Sequence, residues 1–317
     1  MNNKSNFLGY GRQSISEEDI RSVEKVLRGN YLTQGPVVER FESALAEHVG
    51  AKHAIACSNG TAGLHLACLA ADLPAGSKGV TTTMSFAASA NCMLYTKINA
   101  DLLDIDEDTL NLSPDLLKYH IDTNEVNLVI PVHFGGLAAD SSRIREICAK
   151  QIIIEDACHS LGGSYENGSP VGCGDFSNMS VFSFHPVKPM TTGEGGAITT
   201  NDPELARRLK LYRNHGIERN PDNFINSGVK KSDVAPWYYE QQTLGFNYRL
   251  TEIQAALGLS QLNKLQKFRT RRSEIAHFYD SELNHLPISL VQETPNYRKR
   301  SGHHLYIIRV DWDSIGL

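Results

Sequence analysis

An α/β fold built on a mostly parallel, doubly wound sheet follows from three features of the 317-residue sequence. Short β-branched runs alternate with stretches of helical periodicity through the first two-thirds of the chain. Several of these runs stop at small or polar residues where the next helix begins, which is where open parallel sheets place their ligands. The pattern then turns helical, predicting a long arm that leads to a second, smaller lobe.

The elements can be justified in order. SISEEDIRSVEKVLRG opens with serine and early acids, carries apolar residues at helical spacing and stops at Gly29, the pattern of an N-capped helix. PVVERFESALAEHVG repeats it. AKHAIACS reads as a strand and GTAGLHLACLAADL as a buried helix. VTTTMS, ADLLDID, NLVIPVHF and QIIIED are further strands, with ADSSRIREICAKQ as a helix before the last. SVFSFHP and GAITTND flank a loop, FSFHPVKPMTTGEGG. PELARRLKLYRNHG is helical, and RLTEIQAALGLSQLNKLQKFRTRRSEIAHFYDSELN is the long arm. HHLYIIRVDW is then expected as the first strand of the second lobe. The division predicted is a large domain over residues 1–245, and linking helices with the start of a small α+β domain over 246–317. One strand cannot bury its apolar face alone, and the sequence stops seven residues after Val310, so this lobe is expected to be truncated.

Composition narrows the function. A net charge of −5 disfavours a nucleic-acid partner, and no apolar run has the length of a membrane span. The basic run FRTRRSE is most simply a solvated helix face. The opening lacks the apolar segment of a secretion signal. Six cysteines without a CxxC pair read as buried thiols, not as a metal site or disulfide frame, which predicts a reducing, cytoplasmic setting.

Four loops at predicted strand ends carry chemistry. In CSNGTAG, Gly60 allows close backbone approach, Thr61 offers a hydroxyl, and free N–H groups at a helix start can hold a phosphate; plain capping by Ser58 or Asn59 is the simpler alternative. In IIIEDACHS an apolar strand runs into Glu155 and Asp156. A carboxylate there needs a partner, either a helix N-terminus or a protonated ring nitrogen. His159 is placed to orient a ring hydroxyl, whereas His133 reads as a satisfied loop histidine. Phe86 in MSFAASAN either stacks on a planar cofactor or packs in the core. Lys188, in the loop after SVFSFHP, is either a surface lysine or a nucleophile that needs its amine neutral for part of a cycle. Ser183, five residues earlier, can contact a phosphate. Phosphate cradle, stacking ring, carboxylate and amine together fit pyridoxal 5′-phosphate, with Asp156 facing its ring nitrogen and Lys188 holding its aldehyde and moving a proton.

At SNGTAGLHLA, SFAASAN, IEDACHSLGGSY, VFSFHPVKPMTTGEGGAITT, RNHGI and GFNYRLTEIQAALGLSQL, the sequence resembles the DegT/DnrJ/EryC1/StrS sugar aminotransferases. The resemblance covers roughly residues 8–310. It implies the fold-type I architecture of pyridoxal-phosphate enzymes, with Lys188 and Asp156 catalytic. Gly60, Thr61, Ala62, Phe86, His159 and Ser183 become cofactor contacts. Asn247 is similar to a residue that reaches the cofactor phosphate or substrate from a neighbouring subunit, implying a homodimer with shared sites. YGRQSISEEDI and GNYLTQGP look like the pseudaminic acid branch of the family, which implies substrate contacts from Tyr10, Asn30, Tyr31, Leu32, Thr33, Asn59, Ser183 and Asn247. The reaction implied moves an amino group from L-glutamate to a UDP-4-keto-6-deoxy-N-acetylhexosamine. The alternatives are a dTDP-linked or bacillosamine-type ketosugar, or an inactive cofactor-binding remnant. A lysine, where related dehydratases carry histidine, favours transamination.

Overall fold

The computed structural model describes residues 11–225, 234–313 and 316. A seven-stranded sheet runs in the order β1-β7-β6-β5-β4-β2-β3. Its strands are β1 (His53–Cys57), β2 (Lys78–Thr82), β3 (Asn99–Leu103), β4 (Leu128–Ile130), β5 (Ile152–Asp156), β6 (Met179–Ser183) and β7 (Gly196–Thr200). Neighbours from β3 through β6 are parallel, while β7 lies antiparallel to both β6 and β1. Six strands therefore point one way and the seventh is reversed between two of them.

The central strands are buried on both faces, so their sequences read as continuous apolar runs. Alternate residues feed separate cores. Ile55, Val181 and Ile198 pack with α3 (Gly60–Ala71), α4 (Ala88–Tyr95) and α7 (Pro203–Arg213). Ala56, Phe182 and Ala197 pack on the other face with α2 (Pro36–Val49) and α8 (Glu252–Leu262). Phe182 is fully buried in that second core, and truncating it to alanine would cost about 3–5 kcal/mol. Toward β3, α5 (Pro114–Thr123) and α6 (Ser141–Ile147) cover the sheet through Leu117 and Ile144.

The first helix, α1 (Glu17–Leu27), is closed by a reciprocal capping box between Ser16 and Asp19. Asp19 is buried, pairs with Lys264, and accepts from Gln261 Nε2 at 2.9 Å. Burial alone would raise its pKa, but Lys264 and the hydrogen bonds hold it at about 2. The start of α2 is held by a remote carboxylate. Glu252 accepts from the amides of Val37 and Val38 at 3.0 and 2.8 Å, and its own amide donates to Leu32 O at 3.1 Å. This explains Gly35: a Cβ there would meet Tyr31 Cβ at 2.7 Å and Glu252 Oε2 at 2.8 Å.

Three expectations change. The long arm is two helices, α8 and α9 (Leu265–Leu283), broken at Asn263 and Lys264. Its basic run is not simply a solvated face. Arg269 and Arg272 turn inward and donate to backbone carbonyls, while Arg271 stays exposed and pairs with Glu274. Finally, HHLYIIRVDW does not supply the first strand of its lobe. β10 (Ile288–Leu290) precedes it and pairs antiparallel with β11 (Ile308–Val310), with α10 (Pro295–Arg300) between.

Candidate active site

The reversed strand gathers the functional loops. Gly196, the first residue of β7, lies between Cys57 at the end of β1 and Ser183 at the end of β6. A Cβ on Gly196 would lie 2.6 Å from the carbonyl carbon and oxygen of Asn59 and 2.9 Å from Gly60 N, so only glycine allows this approach. Asp156 ends the neighbouring strand, in register with Val181. A cavity of about 960 Å³ opens over these strand ends.

Its walls include Gly60, Thr61, Ala62, Phe86, Asp156, His159, Ser183 and Lys188. Asn59 lines it too, and caps α3 by accepting from Ala62 N at 2.8 Å. Gly63 N is bonded to Asn59 O, which leaves the amides of Gly60 and Thr61 without an intrahelical partner at the wall. Capping and anion binding thus coexist at this helix start. Gly60 packs so tightly that a Cβ would meet Ser183 Cβ at 2.9 Å and Cys158 Sγ at 3.1 Å.

Asp156 is 5% exposed. Ser89 Oγ donates to its Oδ2 at 2.6 Å and Cys158 N to its Oδ1 at 3.2 Å, which fixes the carboxylate's orientation. Phe86 is 73% exposed, so core packing is not its role. His159 Nδ1 is buried without a hydrogen-bond partner among the described residues. Burial, with Lys188 nearby, lowers the pKa of His159 to about 4 and keeps the ring neutral. Lys188 is half-buried, and its backbone carbonyl accepts from Arg272 on α9 at 3.5 Å.

Glu155 faces away from this cavity. It is fully buried and accepts from Ser141, Tyr165, Ser177 and Ser180 at 2.6–2.9 Å, with His133 Nε2 at 3.3 Å. Burial pushes its pKa up, but His133 and the hydroxyl donors outweigh that and hold it at about 2. His133 Nδ1 also accepts from Ala139 N at 3.1 Å, while its Nε2 has Glu155 as a charge neighbour but no hydrogen-bond partner among the described residues, so the ring is only partly satisfied.

The remaining expected contacts lie elsewhere. Asn30, Tyr31, Leu32 and Thr33 are exposed and do not line this cavity. Asn247 is exposed and bridges to Asn214, while Tyr248 beside it does line the wall. Tyr10 lies outside the described residues. All six cysteines are free, and Cys158 alone is not fully buried. Among the described residues no group of metal-ligating side chains and no helix able to cross a membrane is present.

Sequence reasoning missed several wall residues, among them His304, Glu194 and Tyr95, and also Ser89 behind Asp156. The ring of His304 lies 4.3 Å from that of His159. The doublet GHHL ahead of an apolar run was the available signal for it. Ser89 sits within the stretch read for Phe86.

The donor set fits pyridoxal 5′-phosphate. The amides of Gly60 and Thr61, which have no intrahelical partner, and Ser183 suit its phosphate, Asp156 its ring nitrogen, His159 Nδ1 its ring hydroxyl, and Phe86 its face. The DegT/DnrJ/EryC1/StrS aminotransferase family model matches residues 13–315. The spore coat polysaccharide biosynthesis protein SpsC of Bacillus subtilis is 34% identical over 99% of this chain and 78% of its own length. Helicobacter pylori PseC, an aminotransferase involved in the biosynthesis of pseudoaminic acid, superposes with a TM-score of 0.85 at 32% identity, covering 97% of this chain and 79% of that one. The PLP form of the sugar aminotransferase Spr1654 from Streptococcus pneumoniae gives 0.84 at 26% identity, over 96% of this chain and 78% of that one.

Proposed function

The chain belongs to the DegT/DnrJ/EryC1/StrS aminotransferase family as a pyridoxal-phosphate-dependent sugar aminotransferase, and from that premise we propose that it aminates a UDP-4-keto-6-deoxy-N-acetylhexosamine. L-glutamate is the donor and 2-oxoglutarate the second product. The observation that carries this reading is the placement of Lys188 and Asp156 on one cavity, whose wall also holds the start of α3.

When bound, the cofactor acts as an electron sink for the carbon that loses or gains its proton. Asp156, oriented by Ser89, would face the ring nitrogen. The amides of Gly60 and Thr61 and the Ser183 hydroxyl hold the phosphate, and Phe86 shields one ring face from water. Lys188 Nζ takes the proton from the donor's α-carbon and returns one to the sugar carbon. His159, neutral, accepts or donates one hydrogen bond without adding charge.

Asn247 points outward in its own chain, which supports a role in a second copy's cavity and hence a homodimer with shared sites. Residues 1–245 form the cofactor-binding unit in this reading, and 246–317 the linking helices and the start of a smaller unit. Six unpaired thiols support a reducing, cytoplasmic setting. Similarity to PseC at 32% identity favours the pseudaminic acid precursor, while SpsC, at 34% identity, is a spore coat polysaccharide biosynthesis protein, which keeps another nucleotide ketosugar as the alternative. A panel of UDP- and dTDP-ketosugars, each with L-glutamate and the loaded protein, tests the choice. Turnover of the UDP-4-keto-6-deoxy sugar above the others supports the proposal, and preference for a dTDP-sugar refutes it.

A further inference from the structure

The segment after α10 is threaded between the loops that follow β4 and β5. Arg300 O accepts from Ser164 N at 2.9 Å, and Gly302 N donates to Gly136 O at 2.8 Å. The amides of His304 and Leu305 both donate to Gly135 O at 3.0 Å. The fit requires Gly136, at φ 111°, where a Cβ would meet His303 N at 2.8 Å and His304 N at 3.0 Å. From α9, Arg269 Nε donates to Ser301 O at 3.1 Å. His303 takes a φ of 52°, a conformation that a residue other than glycine rarely adopts. The next side chain is His304, on the cavity wall.

There His159 has two ring neighbours. Phe134 lies 5.8 Å away between ring centroids, tilted by 54°, and His304 lies 4.3 Å away, tilted by 48°. With no hydrogen-bond partner at Nδ1 among the described residues, the plane of the His159 ring rests on these contacts. Three charged groups face the pair: Asp156 from β5, Lys188 from the loop after β6 and Arg272 from α9. Burial, then Lys188, lowers the pKa of His159 to about 4, against the pull of Asp156. Burial lowers that of His304 as well, helped by His159, Lys188 and Arg272. Both rings are therefore neutral, and a proton on either would be a cation set beside another.

We propose that His304 is a positioning residue for the cofactor: its ring packs against His159, fixes the plane in which Nδ1 meets the cofactor's ring hydroxyl, and keeps water off that imidazole. A neutral His159 offers the hydroxyl one hydrogen bond, whereas a protonated one would add charge beside Lys188 and alter the cofactor's own protonation. The inference rests on the pyridoxal-phosphate aminotransferase reading and is independent of which sugar is aminated.

The test reads His159 directly. In cofactor-free protein, NMR titration of the histidine rings, with His159→Asn to assign the resonance, should give a wild-type midpoint of about 4. His304→Ala admits water and should raise that midpoint by about one pH unit or more, a tenfold gain in proton affinity. His304→Phe keeps a ring without a titrating group and should leave it where wild type has it. In loaded protein, H304A should weaken cofactor binding about tenfold and add a transition to the cofactor's absorbance between about pH 5 and 7. Wild type and H304F should lack that transition, and H159N should remove it from H304A. Should H304A prove unstable, His304→Val carries the same expectations. An unmoved His159 midpoint in H304A overturns the proposal, as does an H304F that behaves like H304A. Protein that takes up no cofactor would sink the aminotransferase reading and this proposal with it. Normal turnover with His159 unmoved in H304A sinks the proposal alone.

Discussion

Ser89 on α4 and Asp156 at the end of β5 are joined by a 2.6 Å hydrogen bond, with both side chains buried. The serine aims the carboxylate that would face the ring nitrogen. We predict that Ser89→Ala weakens cofactor affinity about tenfold, the scale of a lost hydrogen bond to a charged group. The pH midpoint of the bound cofactor's absorbance should shift as well. Ser89→Thr should restore both, and a cofactor titration unaffected by S89A would remove this role.

Among the described residues, Lys188 is the only amine on the cavity wall. We predict that Lys188→Ala lowers amino transfer by about a thousandfold or more, the contribution of a positioned acid–base group together with the lost covalent tether. Borohydride reduction of the loaded wild type should attach the cofactor to a single peptide, the one bearing Lys188. Attachment elsewhere would show that another amine does the work.

Glu155 supplies a pH-dependent part of stability. Its folded pKa, about 2, lies below the ordinary carboxylate value of 4.5, so the unfolded chain binds the proton more tightly. The stabilisation is therefore complete above pH 4.5 and is lost as pH falls toward 2. The shift corresponds to about 3 kcal/mol. Glu155→Gln should destabilise the protein by that order at pH 7 and flatten the acid limb of a denaturant-midpoint curve between those values. An acid limb identical to wild type would assign the network no such role.

Glu252 ties the Asn30–Thr33 segment and the start of α2 to α8. Glu252→Gln keeps the shape but leaves one of the two amides of Val37 and Val38 facing a donor. We expect a loss of about 1–3 kcal/mol in urea unfolding. If the segment contacts the sugar, KM for the ketosugar should rise with KM for glutamate unchanged.

The proposed sharing of sites between two subunits makes a complementation prediction. Asn247→Ala and Lys188→Ala should each be inactive alone. Mixed by co-unfolding and refolding, random pairing gives one intact site in each mixed dimer and about a quarter of wild-type activity. No recovery in the mixture would place Asn247 outside its partner's cavity.

The sheet was legible because buried parallel strands write themselves as apolar runs, and IIIED and SVFS could hardly be anything else. Most of the cavity wall was equally visible, because Asp156 and Ser183 end strands, Gly60–Ala62 open the helix that follows β1, and Lys188 lies in the loop that follows β6. What the sequence hid was long-range partnership. Just past the end of α8 at Leu262, Lys264 turns toward Asp19, some two hundred and forty residues earlier. Arg269 and Arg272 read as solvent-facing because helical spacing alone does not reveal the carbonyls waiting for them. His304 was missed for the same reason: nothing local links it to His159.

The reversal of β7 sets an order of events during synthesis. The α3 wall and the Asp156 wall are both complete when residue 160 has emerged from the ribosome, yet the gap between β1 and β6 stays open until Gly196–Thr200 slides in from the opposite direction. A chain ending before residue 196 would carry the proposed cofactor residues through Lys188 but lack the strand that joins β1 to β6, so the wall at the start of α3 would not be tied to the wall at Asp156.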